Sequence, residues 1–474
     1  MYQLHLSSIE EPATCRHADL VRLVLHQCEE HSRRRYKTQR RILLARQRIA
    51  SYILRGLDEL SKGVWSLMET DRPATLCVPL SKHGYSGDGP LAGHSHVAAR
   101  DVIEALLTLG LIEVEAGGLV DDQYFPSKLW PTKKFLSEHA KSVTWLPRKV
   151  SKSDPIILKN FDPVTKESYR VSFADTPAIR RMRKNLRRIN QALLDSAIAL
   201  AVDEFLLWRI RSRMSQNNDP KLLVFDRVEL RRIFARSSFE YGGRFYGGWW
   251  QSVPSEYRRF VTINGQPTVE IDYSTLHPLM LYAIHGEDPP PGDLYDVGIE
   301  SKDPPRVRRI IKATFNAILN DASGYYKIPD PDLTFLGMSN AQVRTRIFKK
   351  HPLLRQHIRQ GVGLKLQFLD AQIAERVMLT LIDSGTIALP VHDSFLVPAH
   401  REDDLKEVMI EAYNAEIGGK PLVKDAVIGQ SLIDSSFFPS GAMDLTYERN
   451  LHRDSYYHGY LRGFFEHQAT VKRP

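Results

Sequence analysis

Two aspartates, Asp272 and Asp393, each stand at the end of an apolar, strand-like segment. In PTVEIDYSTLHPLMLYAI the residues before Asp272 alternate as a strand, and Ser274 is predicted to begin the next helix. In TIALPVHDSFLVP apolar residues flank His392 and Asp393, as in a β-hairpin with an acidic tip. Carboxylates on rigid neighbouring strands could hold two Mg²⁺ ions for phosphoryl transfer onto a hydroxyl group. Either aspartate alone is a weak signal, because an aspartate at a strand end more often caps the next element than takes part in catalysis.

A basic helix is predicted between the two aspartates, in PPRVRRIIKATFNAILND. Its residues Arg308, Lys312, Asn316 and Asn320 recur at every fourth position and therefore share one helix face. Cations on that face could hold the β and γ phosphates of a nucleotide. A solvated basic helix without a ligand is the alternative interpretation.

The order of these segments resembles motifs A, B and C of family A DNA polymerases and of the phage-type single-subunit RNA polymerases. DYSTLHP resembles motif A, and RRIIKATFNAILN resembles the motif B helix. VHDSF resembles motif C, which usually reads His-Asp-Glu in family A and His-Asp-Ser in the RNA polymerases. Further similar segments are LQFLDAQIAERVM before motif C, the Gly-Arg-x-Tyr element GGRFYGGWW, and GDLYDVG between motifs A and B. The resemblance covers roughly residues 225–435.

The resemblance implies a role for each residue that matches a motif. Asp272 and Asp393, with the backbone carbonyl of Tyr273, would bind two Mg²⁺ ions, and Mn²⁺ is the alternative ion. Lys312 and Arg308 would hold the triphosphate, and Lys312 would also be a general acid. The other implied contacts are His277, Asn316 and Asn320 to the nucleotide, and Arg244, Tyr246, Gln367 and His392 to the nucleic acid.

Departures from the family pattern affect the expected substrate. Asn316 and Asn320 replace a large aromatic residue and a tyrosine of motif B, so that Phe315 becomes a candidate for stacking on the base. His277 replaces a glutamate whose bulk excludes a 2′-hydroxyl in family A. A bulky histidine favours DNA synthesis from dNTPs on a DNA template and primer. The His-Asp-Ser and Gly-Arg-x-Tyr elements favour the alternative, an RNA polymerase or primase that uses NTPs.

A third interpretation is a DNA-binding replication protein that has lost catalysis. The presence of Asp272, Asp393 and Lys312 together argues against it.

The expected fold is α+β, a right-hand polymerase with an antiparallel palm sheet, helical fingers and thumb, and a helical N-terminal region that includes a winged helix. VAARDVIEALLTLGLIEVEAG predicts a helix that stops at Gly110 and leads into a strand, and a helix-hairpin without DNA contact is the alternative. Residues 177–214 are predicted to be one long helical region with a basic first half. The residues before the palm are too few for both a thumb and a full 3′–5′ exonuclease, so no proofreading is expected. The predicted divisions are 1–65 (basic helical), 66–150 (winged helix), 151–220 (helical, thumb-like), 221–300 (palm, motif A), 301–365 (fingers, motif B) and 366–474 (palm, motif C, and tail).

Composition is consistent with a nucleic-acid partner in a reducing compartment. The 474 residues carry a formal net charge of +9, which favours a polyanionic ligand. Three cysteines are too few for a disulfide framework, and no long apolar run is present, so a cytoplasmic protein without a membrane span is expected. Zinc is a weaker possibility, because the candidate ligands match no standard finger spacing: Cys15, His17, His26, Cys28 and His31.

Overall fold

The computed structural model contains three hydrophobic clusters among its described residues, one formed by residues before position 140 and two formed by residues from 156 onward. It describes residues 2–5, 18–32, 40–64, 74–78, 95–120, 123–125, 127–138, 150–151, 153–165, 167–202, 204–215, 223, 225, 227–320, 326–418, 422–423, 427–428 and 456–471.

The N-terminal unit packs helices against a mainly antiparallel sheet with the strand order β1-β2-β6-β3. Its elements are β1 (Tyr2–His5), α1 (Ala18–Ser32), α2 (Arg40–Val64), β2 (Ala74–Val78), α3 (His96–Thr108), β3 (Ile112–Glu115), β4 (Gly118–Val120), β5 (Gln123–Phe125), β6 (Ser127–Pro131) and α4 (Lys133–Glu138). The predicted helices of residues 1–65 are present, but the strand β1, which pairs parallel to β2, was not predicted.

The helix-to-strand transition predicted at Gly110 is confirmed. Helix α3 begins after Ser95, whose hydroxyl accepts a hydrogen bond from the backbone N–H of Ala98. It ends before Gly110, which has a φ of +68°, a conformation that glycine adopts without a steric penalty. The chain then enters β3, which pairs with β6. Cys28 lies in this core, where burial raises the pKa of its thiol to about 11, whereas Cys15 and His17 lie outside the described residues.

The larger unit follows in chain order. Its elements are β7 (Ile156–Phe161), β8 (Ser168–Arg170), α5 (Pro177–Leu194), β9 (Ile198–Leu200), α6 (Glu204–Ser215), β10 (Arg231–Phe234), β11 (Gly242–Tyr246), α7 (Ser255–Arg258), β12 (Val261–Ile263), β13 (Gln266–Ser274), α8 (Leu276–Ala283), α9 (Pro304–Asn320), α10 (Asp330–Leu336), α11 (Asn340–Lys350), α12 (Gly363–Asp383), β14 (Leu389–Val391), β15 (Ser394–Pro398), α13 (Glu402–Glu416), β16 (Leu422–Val423), β17 (Val427–Ile428) and α14 (Tyr456–Val471).

The prediction of one helical region over residues 177–214 is wrong, because a strand interrupts it. Helix α5 ends at Leu194, and β9 then pairs antiparallel with β12 at the edge of the central sheet. The segment Ile198–Leu200 is fully buried, and sheet pairing with burial outweighs its helical context. The first part of residues 151–220 is also not helical, since it forms the strand pair β7–β8.

The central sheet has the strand order β14-β15-β13-β12-β9, and β16 and β17 also pair with β13. Strands β12 and β13 are joined by Asn264 and Gly265, which both have positive φ, as a two-residue hairpin turn with the right-handed strand twist requires. Helices α12 and α13 pack against each other, and α13 contacts β13 and β15. The fold is therefore α+β, with β13 at the centre of its main sheet.

Candidate active site

Strand β13 presents Asp272 on the face opposite the core. Its residues Val269, Ile271 and Tyr273 are buried, whereas Asp272, at the alternate position, is only partly buried. The hydroxyl of Tyr273 donates a 2.6 Å hydrogen bond to the backbone carbonyl of Met409 on α13. This anchoring of the buried face fixes the direction of the Asp272 side chain.

The strand continues beyond the predicted helix start. Tyr273 and Ser274 pair with β16, so that the backbone stays extended, and α8 begins only at Leu276. The prediction that Ser274 begins the helix is therefore wrong. Thr275 joins the two elements with a φ of +55°.

The second aspartate lies at the predicted hairpin tip. Val391 and Ser394 face each other in the β14–β15 pair, so that His392 and Asp393 form a two-residue turn. His392 has a φ of +59°, which a non-glycine residue adopts only when its surroundings enforce it. Such strain occurs preferentially at functional sites.

The two aspartates meet on neighbouring strands. Asp272 lies directly opposite Ser394 in the β13–β15 register, and Asp393 is the residue before Ser394. The backbone N–H of Tyr273 donates to the carbonyl oxygen of Asp393 at 3.3 Å. Pairing of residues so distant in sequence brings both carboxylates to the same end of the sheet.

The donor set fits Mg²⁺, which prefers oxygen ligands and is held in proteins by one or two carboxylates with several retained waters. Asp272 and Asp393 supply the carboxylates, and Tyr273, whose backbone carbonyl is the third predicted ligand, follows Asp272 in β13. Within the described ranges, no three side chains of His, Cys, Asp or Glu converge as a ready ligand cluster. The residues present therefore fit an ion shared with substrate oxygens better than a fully enclosed structural metal.

His277, on the first turn of α8, lies beside this carboxylate pair. The Arg244 guanidinium donates from Nη2 to the imidazole Nε2 at 3.1 Å, which leaves the ring proton of a neutral imidazole on Nδ1. Burial and the charge of Arg244 lower the pKa of His277 to about 4. The charge of Asp393 raises this pKa and the charge of Lys312 lowers it, so that both groups lie within electrostatic reach of the imidazole.

A buried carboxylate on α12 holds Arg244 in place. The Nε and Nη2 atoms of Arg244 both lie 2.6 Å from Oδ2 of Asp370, whose side chain is 3% exposed. Burial raises the pKa of Asp370 to about 7, against the effect of Arg244. The sequence predicts that Arg244 contacts nucleic acid, but in the structure its charge is engaged by Asp370 and His277.

Of the other implied nucleic-acid contacts, Tyr246 lies beside His392 at the hairpin tip. The rings of Tyr246 and His392 are in edge contact, with centroids 6.2 Å apart. Burial raises the pKa of Tyr246, so that its hydroxyl stays protonated at neutral pH. Gln367 lies partly buried on α12, one turn before Asp370.

Helix α9 faces the site with its polar side. Tyr295 precedes α9, and burial raises the pKa of its phenol. The charges of Asp272 and Asp393 also raise this pKa, and the charge of Arg308 lowers it. The phenol therefore lies within electrostatic reach of both aspartates and of α9. Lys312 is exposed on the same helix.

Arg308 is already engaged in this structure. Its guanidinium donates from Nε to Asp293 at 2.6 Å and lies over the ring of Tyr295, 5.1 Å from the centroid. A triphosphate held by Arg308 would have to displace Asp293.

The remaining motif B positions differ in accessibility. Asn320 is exposed, and its amide donates to the backbone carbonyl of Asn316 at 2.8 Å. Phe315 is fully buried between the rings of Tyr295 and His351. The suggestion that Phe315 stacks on a nucleotide base is therefore wrong, because exposing it would open the core.

Three acidic residues near the site were not predicted: Glu270, Asp293 and Asp370. The sequence pattern could have identified Asp370 as a buried carboxylate. It lies one helical turn after Leu366 and three residues before Ile373, and therefore within the apolar stripe of α12. Glu270 shares the β13 face of Asp272 by simple alternation.

None of the helices that the structure describes is both long enough and apolar enough to cross a lipid bilayer. No protein-family model matches the chain, and no curated protein is similar enough to match it.

Proposed function

We propose that this chain is a DNA-directed DNA polymerase that joins nucleotides by two-metal-ion phosphoryl transfer. The observation that carries the proposal is the pairing of β13 with β15, which brings Asp272 and Asp393 together at one sheet end. His277 and the polar face of α9 lie at the same end, and this supports a site for a nucleotide beside the carboxylates.

In the proposed reaction Asp272 and Asp393 would hold two Mg²⁺ ions, and these would lower the pKa of the primer 3′-hydroxyl and offset the negative charge of the pyrophosphate leaving group. Lys312, exposed on α9, binds the triphosphate and donates a proton to the departing oxygen. Arg308 contacts the same triphosphate after it leaves Asp293. Neutral His277 fills the space beside the sugar, with Arg244 fixing its orientation.

The proposed fold is a right-hand polymerase. The β13-centred sheet with α12 and α13 corresponds to the palm, and α9, α10 and α11 correspond to the fingers. The basic helix α5 belongs to the thumb-like region, which also contains the strands described above. The β2-β6-β3 sheet with α3 supports a winged helix in the N-terminal unit.

Replacement of either aspartate tests the catalytic assignment. We expect Asp272→Ala and Asp393→Ala each to reduce incorporation on a labelled primer–template by about 10³-fold or more, because bound ions contribute several kcal/mol to such transition states. Duplex affinity should change little, since phosphate-backbone contacts use other residues. Asp403→Ala, which removes an exposed carboxylate on α13, is the matched control. Incorporation at the wild-type rate by either site variant would refute the assignment.

The second experiment distinguishes the sugar preference. Extension with dNTPs and with NTPs, each with and without a primer, separates a DNA polymerase from an RNA polymerase or primase. We expect dNTP use, and we expect His277→Ala to raise relative NTP use by roughly 10- to 100-fold because a bulky side chain is removed beside the sugar. Incorporation confined to NTPs would favour the RNA polymerase, whose His-Asp-Ser and Gly-Arg-x-Tyr elements this chain resembles. Duplex binding without incorporation of any nucleotide, with either Mg²⁺ or Mn²⁺, would favour the non-catalytic replication protein.

A further inference from the structure

Glu270 accepts three hydrogen bonds beside the candidate metal site. Arg258 donates from Nε to Oε2 at 2.8 Å and from Nη2 to Oε1 at 2.7 Å. The hydroxyl of Ser394 donates to Oε1 at 2.6 Å. Glu270 lies two residues before Asp272 on the same face of β13, and Ser394 directly follows Asp393. The carboxylate is thus connected to both strands that carry the aspartates.

Arg258 holds Glu270 from outside this strand pair. It is the last residue of α7, and its Nη1 also donates to the carbonyl of Val253 at 3.3 Å. The two side chains are 16% and 22% exposed. Paired, charge-assisted bonds of this kind restrict orientation as well as contributing energy. Because Arg258 occupies both oxygens of Glu270, this carboxylate is suited to fixing a neighbour and poorly suited to binding a cation.

The hairpin turn at Asp393 needs such support. His392 is in the left-handed region at φ +59°, a conformation that persists only when surrounding contacts determine it. The Ser394 hydroxyl lies 3.1 Å from the carbonyl of Val391 inside the turn and 2.6 Å from Glu270 outside it. A hydroxyl has a single proton to donate. The carboxylate of Glu270 is a stronger acceptor than the carbonyl of Val391 and is also closer, so the proton is donated to Glu270. The turn is therefore fixed to β13 through the side chain that follows Asp393.

We propose that Glu270 is a positioning residue for Asp393 and acts through Ser394. The inference rests on the proposed function in that Asp393 is taken as a metal ligand. Loss of the Ser394 hydroxyl would let the Asp393 carboxylate shift relative to Asp272, and a shift of about 1 Å in a reacting group can reduce the rate by about 100-fold. Because Arg258, Glu270 and Ser394 are bonded to one another, we expect the primer–template affinity to stay unchanged.

The test compares Ser394→Ala with Ser394→Thr, which keeps a hydroxyl at the same place on a strand position that accepts β-branched residues. We expect Ser394→Ala to lower kcat by about 10- to 100-fold, with the nucleotide KM and the primer–template Kd within about 2-fold of wild type. Ser394→Thr should retain most of the activity. Ser384→Ala, which removes an exposed hydroxyl after α12, is the matched control.

Two further measurements separate positioning from a general structural effect. Glu270→Gln weakens the ion pair with Arg258, and in the Ser394→Ala background it should lower kcat no further if Glu270 acts through the hydroxyl. Mn²⁺ titration of the protein alone, followed by the paramagnetic signal of free Mn²⁺, should show weaker binding for Ser394→Ala than for Ser394→Thr. Unfolding midpoints measured on all variants identify any that fail to fold. If Ser394→Ala is one of these, the wild-type protein is compared with Ser394→Thr and Glu270→Gln instead.

The outcomes distinguish this inference from the proposed function. Wild-type kcat and Mn²⁺ affinity in Ser394→Ala would overturn the inference while leaving the polymerase assignment intact. Additive losses in the double variant would also overturn it. If the wild-type protein incorporates no nucleotide but its Mn²⁺ affinity still depends on the Ser394 hydroxyl, the proposed function fails and the positioning role stands. If the wild-type protein neither incorporates nucleotides nor binds Mn²⁺, both are wrong.

Discussion

Replacing His277 by glutamine removes a partly buried imidazole that resists protonation in the folded protein. Burial and the charge of Arg244 lower the pKa of His277 to about 4, against an ordinary value of 6.5. The folded chain therefore binds fewer protons at this position than the unfolded chain between these two pH values. The contribution of His277 to the free energy of unfolding is fully present above pH 6.5 and is lost as the pH falls towards 4. The difference corresponds to about 3 kcal/mol in the free energy of unfolding.

Glutamine is a suitable replacement because its side-chain oxygen can still accept from Arg244 but does not titrate. We expect the unfolding free energy of the wild-type protein to decline by about 3 kcal/mol more than that of His277→Gln between pH 7 and pH 4. Asp370, with its pKa raised to about 7 by burial, acts in the opposite sense but is common to both proteins. The difference between the two curves therefore isolates His277.

Urea unfolding followed by tryptophan fluorescence is the assay. Trp250 is fully buried, and its indole N–H donates to the carbonyl of Pro390 on β14, so its emission reports on the sheet that carries the site. His400→Gln, which replaces an exposed histidine after the opposite end of β15, is the control. If the free energy of unfolding falls equally with pH in the wild-type protein and in His277→Gln, the argument that burial beside Arg244 keeps this imidazole neutral is refuted.

Two other contacts give predictions of different size. Arg232 is fully buried and donates to Glu375 at 2.6 Å, so Glu375→Gln should lower the free energy of unfolding by about 3–5 kcal/mol by leaving a buried charge uncompensated. Arg376→Gln, on the same helix but in an exposed pair, should cost less than about 1 kcal/mol by the same urea measurement, and equal effects would contradict the role of burial. Asp293→Asn should release Arg308 and tighten nucleotide binding by up to about 5-fold, because the half-exposed pair that is lost contributes about 1 kcal/mol at most. A raised nucleotide KM in that variant would show that Asp293 helps to form the site and does not compete for Arg308.

Local patterns predicted the elements that carry the candidate site. Alternation identified the strand that ends near Asp272, and apolar flanks identified the hairpin at Asp393. Four-residue spacing identified α9 and its polar face. These features depend on interactions between near neighbours, which a single sequence displays directly.

Boundaries failed where a distant strand decided the conformation. Ser274 remains in β13 because it pairs with β16. Ile198–Leu200 form a strand and not a helix because they pair with the edge of β12. Neither partner can be recognised from the local sequence, since sheet pairing joins segments far apart in the chain.

Residue types and their spacing were enough to indicate which side chains could bind metal and phosphate and which elements carry them. The folded chain was needed to show that the strand of Asp272 pairs beside Asp393, that Asp370 holds Arg244, and that Asp293 engages Arg308. The physical reason is that strand register and burial arise from packing of the whole chain: Arg244 and Asp370 are separated by 126 positions in sequence but their side chains are 2.6 Å apart. Chemistry can therefore be suggested by residue type and spacing, whereas the partner, charge state and orientation of each group follow from the fold.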